Sequence, residues 1–279
     1  MSVKIITDSG ADTGKFVDED LTTIPLTIRF GKDEFQDNVD LSHHEFYEKL
    51  EASDELPKTS NPGPYAFGKA IAEGLKDHDE VLVITLSSKL SGTYQSACLA
   101  AHEFENVWVV DSGNIALGQM IIVKLALQLA KEGKSAGEIA AVIQEKKDDV
   151  VLAAVMETLD YVRKGGRLPA TAAFVGNILS IKPICGIKDG EVVVLGKARG
   201  HKKGEALLTQ FVKDSGGIDF SLPFSFGYTG QDPTGVEKYI EAHKDELGCG
   251  EECPYSSVGS TIGTYVGPEA VGLAYFKKH

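Results

Sequence analysis

The sequence predicts an α/β protein of two units, an open and mostly parallel sheet over residues 1–150 and a mixed α/β unit over residues 151–279. Three observations carry this expectation. Near-continuous apolar runs at residues 3–7, 80–86 and 106–110 suit strands buried on both faces, as in a parallel sheet. Helical patterns at residues 64–76, 91–103, 115–131 and 136–147 alternate with them. Beyond residue 150 the pattern changes to shorter strands, a hairpin and three further helices.

The first run ends in Asp8-Ser9-Gly10. Ser42 with Glu45, and Ser135 with Glu138, have the capping-box spacing in which a Ser oxygen accepts a backbone N–H and a Glu reaches back, so both mark helix starts. Residues 57–64 read as a turn stiffened by Pro62 and Pro64, presenting Thr59 and Ser60 ahead of a helix. Residues 85–96 read as a second hydroxyl-rich turn between a buried strand and a helix. In the second half, residues 150–155 form a strand, 159–164 a short helix, and 184–187 with 191–195 a hairpin with Asp189-Gly190 at its tip. A helix over 203–212 follows, and strands at 224–228 and 271–276 flank a helix over 234–246. No repeat or low-complexity linker separates the units, so they are expected to meet at a cleft, the usual place for a ligand.

The chain has 279 residues, 42% hydrophobic and 25% charged, which is globular composition with enough apolar content for a core. Its net charge of −13 argues against nonspecific binding to nucleic acid or to an anionic membrane surface. Apolar runs such as 150–156 fall far short of the roughly 20 residues that span a bilayer, and the N-terminus has no signal-peptide pattern, so a cytoplasmic protein is expected. Cys98 and Cys185 read as buried small hydrophobes. The charge is uneven. Residues 1–60 carry fourteen acids and six bases, whereas residues 163–203 carry nine bases and two acids, with three of the four arginines. Arginine recognises carboxylate and phosphate bidentately, so this segment suits an anionic partner as well as a solvated basic face.

The common catalytic signatures are missing: there is no Gly-x-Ser-x-Gly, Gly-x-Gly-x-x-Gly, Gly-x4-Gly-Lys-Ser/Thr or His-Glu-x-x-His. Cys249 and Cys253, with only His243 nearby, lack the four ligands of a structural zinc site and read as two ordinary thiols in a surface loop. His43 and His44 point in two directions from one helix and read as solvated. No metal is expected. The hydroxyls of Ser87, Ser88, Ser91 and Thr93 surround Gly92 at a helix N-terminus, where unpaired N–H groups and the helix dipole favour an anion. One hydroxyl would suffice for capping. The turn at Thr59 and Ser60 is expected to face this one across the strand ends.

In order along the chain, Thr7-Asp8-Ser9, Thr59-Ser60-Asn61-Pro62, the segment 87–93, Val110-Asp111-Ser112, Thr158-Leu159-Asp160-Tyr161, Arg163-Lys164-Gly165-Gly166-Arg167, the segment 179–183 and Gly263-Thr264-Tyr265-Val266-Gly267-Pro268 resemble the DegV family of bacterial fatty-acid-binding proteins. The resemblance implies a two-domain α/β fold with one long-chain fatty acid buried between the domains, and no cofactor beyond that ligand. It further implies a FakB-like subunit that is not itself an enzyme. Such a subunit presents the carboxylate to a separate ATP-dependent fatty acid kinase subunit, which makes an acyl phosphate for phospholipid metabolism. By similarity Thr59 and Ser91 hold the carboxylate with Ser60 and the Gly92 backbone nearby, and Arg167 and Arg199 dock the kinase. Tyr265 stands where the family motif usually has a His; a phenol can donate a hydrogen bond but carries no positive charge near neutral pH.

Neither hydroxyl turn contains Arg or His, so the expected head-group cage is neutral, leaving a carboxylate oxygen nucleophilic. Two other readings stay open: an autonomous hydrolase or acyltransferase using Ser91, which needs a base the turns do not supply, and a lipid carrier not coupled to a kinase. A pure interaction protein docking through its basic segment is a third. Phe174, Ile178, Leu179 and Ile181 are candidates for the tail pocket, with ordinary helix core as the commoner role.

Overall fold

The computed structural model describes residues 2–14, 16–168 and 180–279. The chain opens with β1 (Val3–Asp8), β2 (Leu21–Ile24), β3 (Thr27–Phe30) and β4 (Asp33–Gln36). It continues through α1 (His43–Ala52), β5 (Lys58–Ser60), α2 (Pro64–Asp77), β6 (Glu80–Thr85), α3 (Thr93–Ala101), β7 (Val107–Asp111), α4 (Ala116–Lys131) and α5 (Ala136–Lys146). Then follow β8 (Val150–Val155), α6 (Asp160–Lys164), β9 (Ile181–Lys188), β10 (Glu191–Arg199), α7 (His201–Asp214), β11 (Ser225–Tyr228), α8 (Thr234–Leu247), β12 (Tyr255–Ser257), α9 (Ser260–Val266) and β13 (Val271–Phe276).

The three apolar runs of the first half form β1, β6 and β7, and β2, which no such run marked, joins them in a four-stranded parallel sheet in the order β2-β1-β6-β7. Every residue of β6 is buried, as a strand covered on both faces requires. The chain steps from β1 outward to β2 and returns to β6 on the other side, so the strand order reverses between β1 and β6, where open α/β sheets bind ligands. Asp8, at the end of β1, bridges that crevice: its carboxylate accepts from the Leu86 N–H at 2.8 Å, the Gly10 N–H at 2.9 Å and Gln119 Nε2 at 3.2 Å. The second half forms a six-stranded sheet, β10-β9-β8-β13-β11-β12, antiparallel except for its last pair. Twelve of the sixteen residues of α4 are buried, because one core cluster joins it to β1 and β6 on one side and to the ends of β8 and β13 on the other.

Both capping boxes form, and Asp189 and Gly190 take positive φ of 53° and 81°, as a two-residue hairpin turn requires. Several elements depart from expectation. Residues 58–60 are a strand rather than part of a turn: β5 joins β3 and β4 in a small antiparallel sheet, with Thr59 opposite Ile28. A three-residue polar strand shows neither an apolar run nor a clear alternation, and β2 to β4 have only four residues each. The helix expected at 91–103 runs only from Thr93 to Ala101, which leaves Ser91 and Gly92 in the preceding loop. Cys249 and Cys253 are not ordinary thiols but a disulfide; left-handed Gly248 turns the chain back at the end of α8 and brings them into reach. Cys185 is buried as expected, whereas Cys98 is only half-buried. His44 is exposed, but His43 is half-buried with Nδ1 2.8 Å from Ser257 Oγ. Burial holds the His43 pKa below the usual imidazole range, against the opposing pull of Asp37.

Candidate functional site

Between the strand ends of the parallel sheet and one face of the mixed sheet lies a cavity of about 1020 Å³, its open mouth included. Its wall is mainly apolar: Leu26, Leu86 and Leu90 on one side, Ile115 and Leu117 where α4 begins, Leu152 and Ile187 from the mixed sheet with Met156 just after β8, and Ile262 and Val266 from α9. Thr229 and Thr261 also line it, but their hydroxyls are engaged. Thr229 Oγ1 accepts from the Ala270 N–H at 2.8 Å, and Thr261 Oγ1 donates to Asp37 Oδ2 at 2.5 Å.

The mixed sheet provides an unusually low floor. Gly227 pairs with Gly272, Gly272 with Ala154, and Ala154 with Cys185, so one row across β11, β13, β8 and β9 carries almost no side-chain volume. Directly paired residues share a face, and all four line the cavity. Gly272 has no room for a methyl group, since an added Cβ would lie 2.6 Å from the Ala154 Cβ and 2.7 Å from the Ala153 carbonyl. Burial pushes the Cys185 thiol up to about 12, so it stays neutral and acts as part of the apolar surface.

Polar groups converge at one end. Thr59 Oγ1, on β5, lies 2.7 Å from Tyr265 Oη, on α9. The Arg167 guanidinium, just beyond α6, sits over the Tyr265 ring at 4.8 Å from its centroid, donates to the Leu90 carbonyl at 3.3 Å through Nε, and donates to the Gly165 carbonyl at 2.8 Å through Nη1. Leu90 precedes Ser91, which completes the group, and Thr59, Ser91, Arg167 and Tyr265 all line the cavity. Gly165 must be glycine here, because a Cβ would lie 2.4 Å from the Tyr265 ring. Arg167 is the one cationic side chain among the described lining residues. This corrects the expectation of a neutral cage: the charge comes from a segment far from either hydroxyl turn in sequence, and only the packing of α6 against α9 brings it in.

The two hydroxyl turns do face one another. Asn61, in the first, donates to Ser96 Oγ at 3.1 Å and comes within 3.7 Å of where a Gly92 side chain would begin. Their hydroxyls do not all serve an anion, however. Ser87 is buried and donates to the Gly190 carbonyl at 2.7 Å, which ties the hairpin tip to the parallel sheet. The Ser88 N–H is taken by Asp111. Ser91 Oγ lies 2.8 Å from Thr93 Oγ1, and no imidazole bonds to it among the described residues, so a serine nucleophile has no base.

Ser60 is exposed and does not line the cavity, and Gly92 is an exposed loop residue beside it. Arg199 is exposed at the end of β10, whereas Arg167 is turned inward onto Tyr265. Ile181 opens β9 and is absent from the cavity wall; Phe174, Ile178 and Leu179 lie outside the described residues. Sequence reasoning missed the floor, although glycines inside strand patterns at 227 and 272 are a known signal of close approach by a ligand or a second backbone.

The sequence profile of the DegV family of uncharacterised proteins matches residues 2–278. A Thermotoga maritima protein named as a fatty acid-binding protein is 32% identical over 282 residues, covering 98% of this chain and 97% of its own. Among solved structures, a DegV family protein from Thermus thermophilus, reported for its fatty acid binding, superposes with a TM-score of 0.89 at 30% identity, covering 99% of this chain and 100% of its own. A DegV family protein from Eubacterium eligens loaded with heptadecanoic acid gives a TM-score of 0.85 at 25% identity, covering 99% and 100%.

Proposed function

The chain belongs to the DegV family, and from that premise we propose that it binds one long-chain fatty acid in the cavity, with the carboxylate at Thr59, Ser91 and Tyr265 and the tail over the glycine floor. The observation that carries this reading is the polarity of the cavity: an apolar trough with the Thr59, Ser91 and Tyr265 hydroxyls and, among the described lining residues, its one cation gathered at one end. Burying about 14 methylenes at roughly 0.8 kcal/mol each supplies about 11 kcal/mol before the cost of immobilising the chain. A hydroxyl bond to a carboxylate nets about 1.5 to 3 kcal/mol. The tail therefore sets affinity and the polar end sets position. Residues 1–150 and 151–279 serve as the two walls, with α9 crossing back to complete the head-group end.

The protein serves as a binding and presenting subunit rather than an enzyme, handing the carboxylate to a separate ATP-dependent kinase for acyl-phosphate formation. The missing base at Ser91 supports this, as does the basic segment over 163–203 with exposed Arg199, which suits an acidic or nucleotide-bearing partner. Lipid extraction and native mass spectrometry of the purified protein test the binding step: one fatty acid per chain is expected, and a persistently empty protein that takes up no added acid overturns it. For the second step, the loaded protein is mixed with a fatty acid kinase catalytic subunit and ATP. Acyl phosphate should form only in the mixture, and Arg199→Ala should lower its rate while leaving lipid binding unchanged.

A further inference from the structure

Outside the cavity, three side chains from separate parts of the chain converge at one end of the mixed sheet. Glu157 follows β8, His201 opens α7 and Glu269 precedes β13; one ligand atom from each lies within 4.8 Å of the other two. We propose that Glu157, His201 and Glu269 bind a divalent transition-metal ion of the zinc class.

Two details support a cation at this point. Glu157 Oε2 is shut off from solvent and accepts no hydrogen bond, although His201 Nε2 lies 3.1 Å away. The other carboxylate oxygen, Oε1, is held by buried Lys182, which fixes the orientation of the group and leaves Oε2 aimed at the imidazole. A ligating carboxylate steadied by an outer hydrogen bond is the usual arrangement around a bound metal. Without a metal, two carboxylates share the site with one imidazole and one ammonium group, and His201 pairs with Oε2 only when its ring is protonated.

The donor set selects the ion. Calcium takes six to eight oxygen ligands, and magnesium retains most of its water in octahedral geometry; a single imidazole with two carboxylates suits zinc, cobalt or manganese, with solvent completing the shell. The neighbouring Lys182 ammonium weakens the site relative to a fully anionic one. The ion would also brace the cavity, because Met156 and Ala270, the chain neighbours of Glu157 and Glu269, line its wall.

The test titrates cobalt(II) alone, as a spectroscopic probe, into chelator-treated protein with the Cys249–Cys253 disulfide intact, and repeats it with zinc by calorimetry. One saturable site per chain is expected, with a visible absorption band and a metal-dependent rise in Tm. His201→Ala should abolish all three, and Glu269→Gln should weaken binding by about tenfold or more. His201 is about half exposed, so its variant should melt with the wild type in the absence of metal. No saturable binding, or binding that survives both substitutions unchanged, overturns the proposal.

Discussion

The hydroxyls of Thr59 and Tyr265 meet at 2.7 Å beneath the guanidinium of Arg167, although the three residues come from β5, α9 and the turn after α6. The phenol that replaces the expected imidazole therefore has its charge supplied from outside, by an arginine lying across its face. Such a cation–π contact is worth about 0.5 to 2 kcal/mol.

Removing the Tyr265 hydroxyl should cost one hydrogen bond and little packing. Tyr265→Phe is expected to weaken fatty acid binding by about tenfold, the equivalent of about 1.4 kcal/mol, in displacement of a fluorescent fatty acid. Binding of the corresponding fatty alcohol should change less, since it presents no carboxylate.

Arg167→Ala should weaken binding of the acid more than that of the alcohol, because the variant removes the cation that lines the cavity. Arg167→Lys restores charge without the planar stacking surface and should recover only part of the loss. Equal loss for acid and alcohol would place Arg167 outside head-group recognition and return it to a purely structural or docking role.

The floor row predicts selectivity by length. Ala154→Leu adds volume where the cavity is lowest, so acids of about 16 carbons or more should bind at least tenfold less tightly while short acids are spared, as a chain-length series would show. Cys185→Phe should act similarly from the adjacent strand. In the wild type, Cys98 should react with a thiol reagent well before Cys185, whose thiol burial holds at about 12.

Asp8 predicts a pH dependence of stability. Burial raises its pKa from 3.8 to about 7, against the lowering effect of the Leu86, Gln119 and Gly10 hydrogen bonds. The folded protein thus holds this proton more tightly than the unfolded chain. Its contribution is complete below pH 3.8 and is lost as pH rises through 7, by up to about 4 kcal/mol at 1.36 kcal/mol per unit. Asp8→Asn does not titrate, so denaturant unfolding from pH 5 to 8 should show the wild type losing stability relative to the variant. His43, shifted downward, acts in the opposite direction over part of this window but is common to both proteins. Parallel curves would sink the prediction.

Legibility in the sequence followed the strength of the local signal. β6 and α4 were readable because continuous burial leaves a continuous apolar record. β5 was not, since a strand of Lys, Thr and Ser is defined by its partner β3 and not by its own composition. Thr59 and Ser91, which line the cavity, were singled out through turn chemistry and the family resemblance. Arg167 was singled out, but as a docking residue on an outer face; its place over Tyr265 depends on packing between segments roughly a hundred residues apart. Glu157, His201 and Glu269 were invisible for the same reason.

Three of the four residues in the row Gly227, Gly272, Ala154 and Cys185 are glycine or alanine. Glycine and alanine have no rotamers to freeze, so a ligand resting on them costs the protein almost no side-chain entropy. The opposite wall, with Leu86, Leu90, Leu117 and Ile262, has many. Adaptation to a kinked or a straight chain therefore falls to that wall, while the sheet acts as a rigid bed whose depth does not vary with the guest.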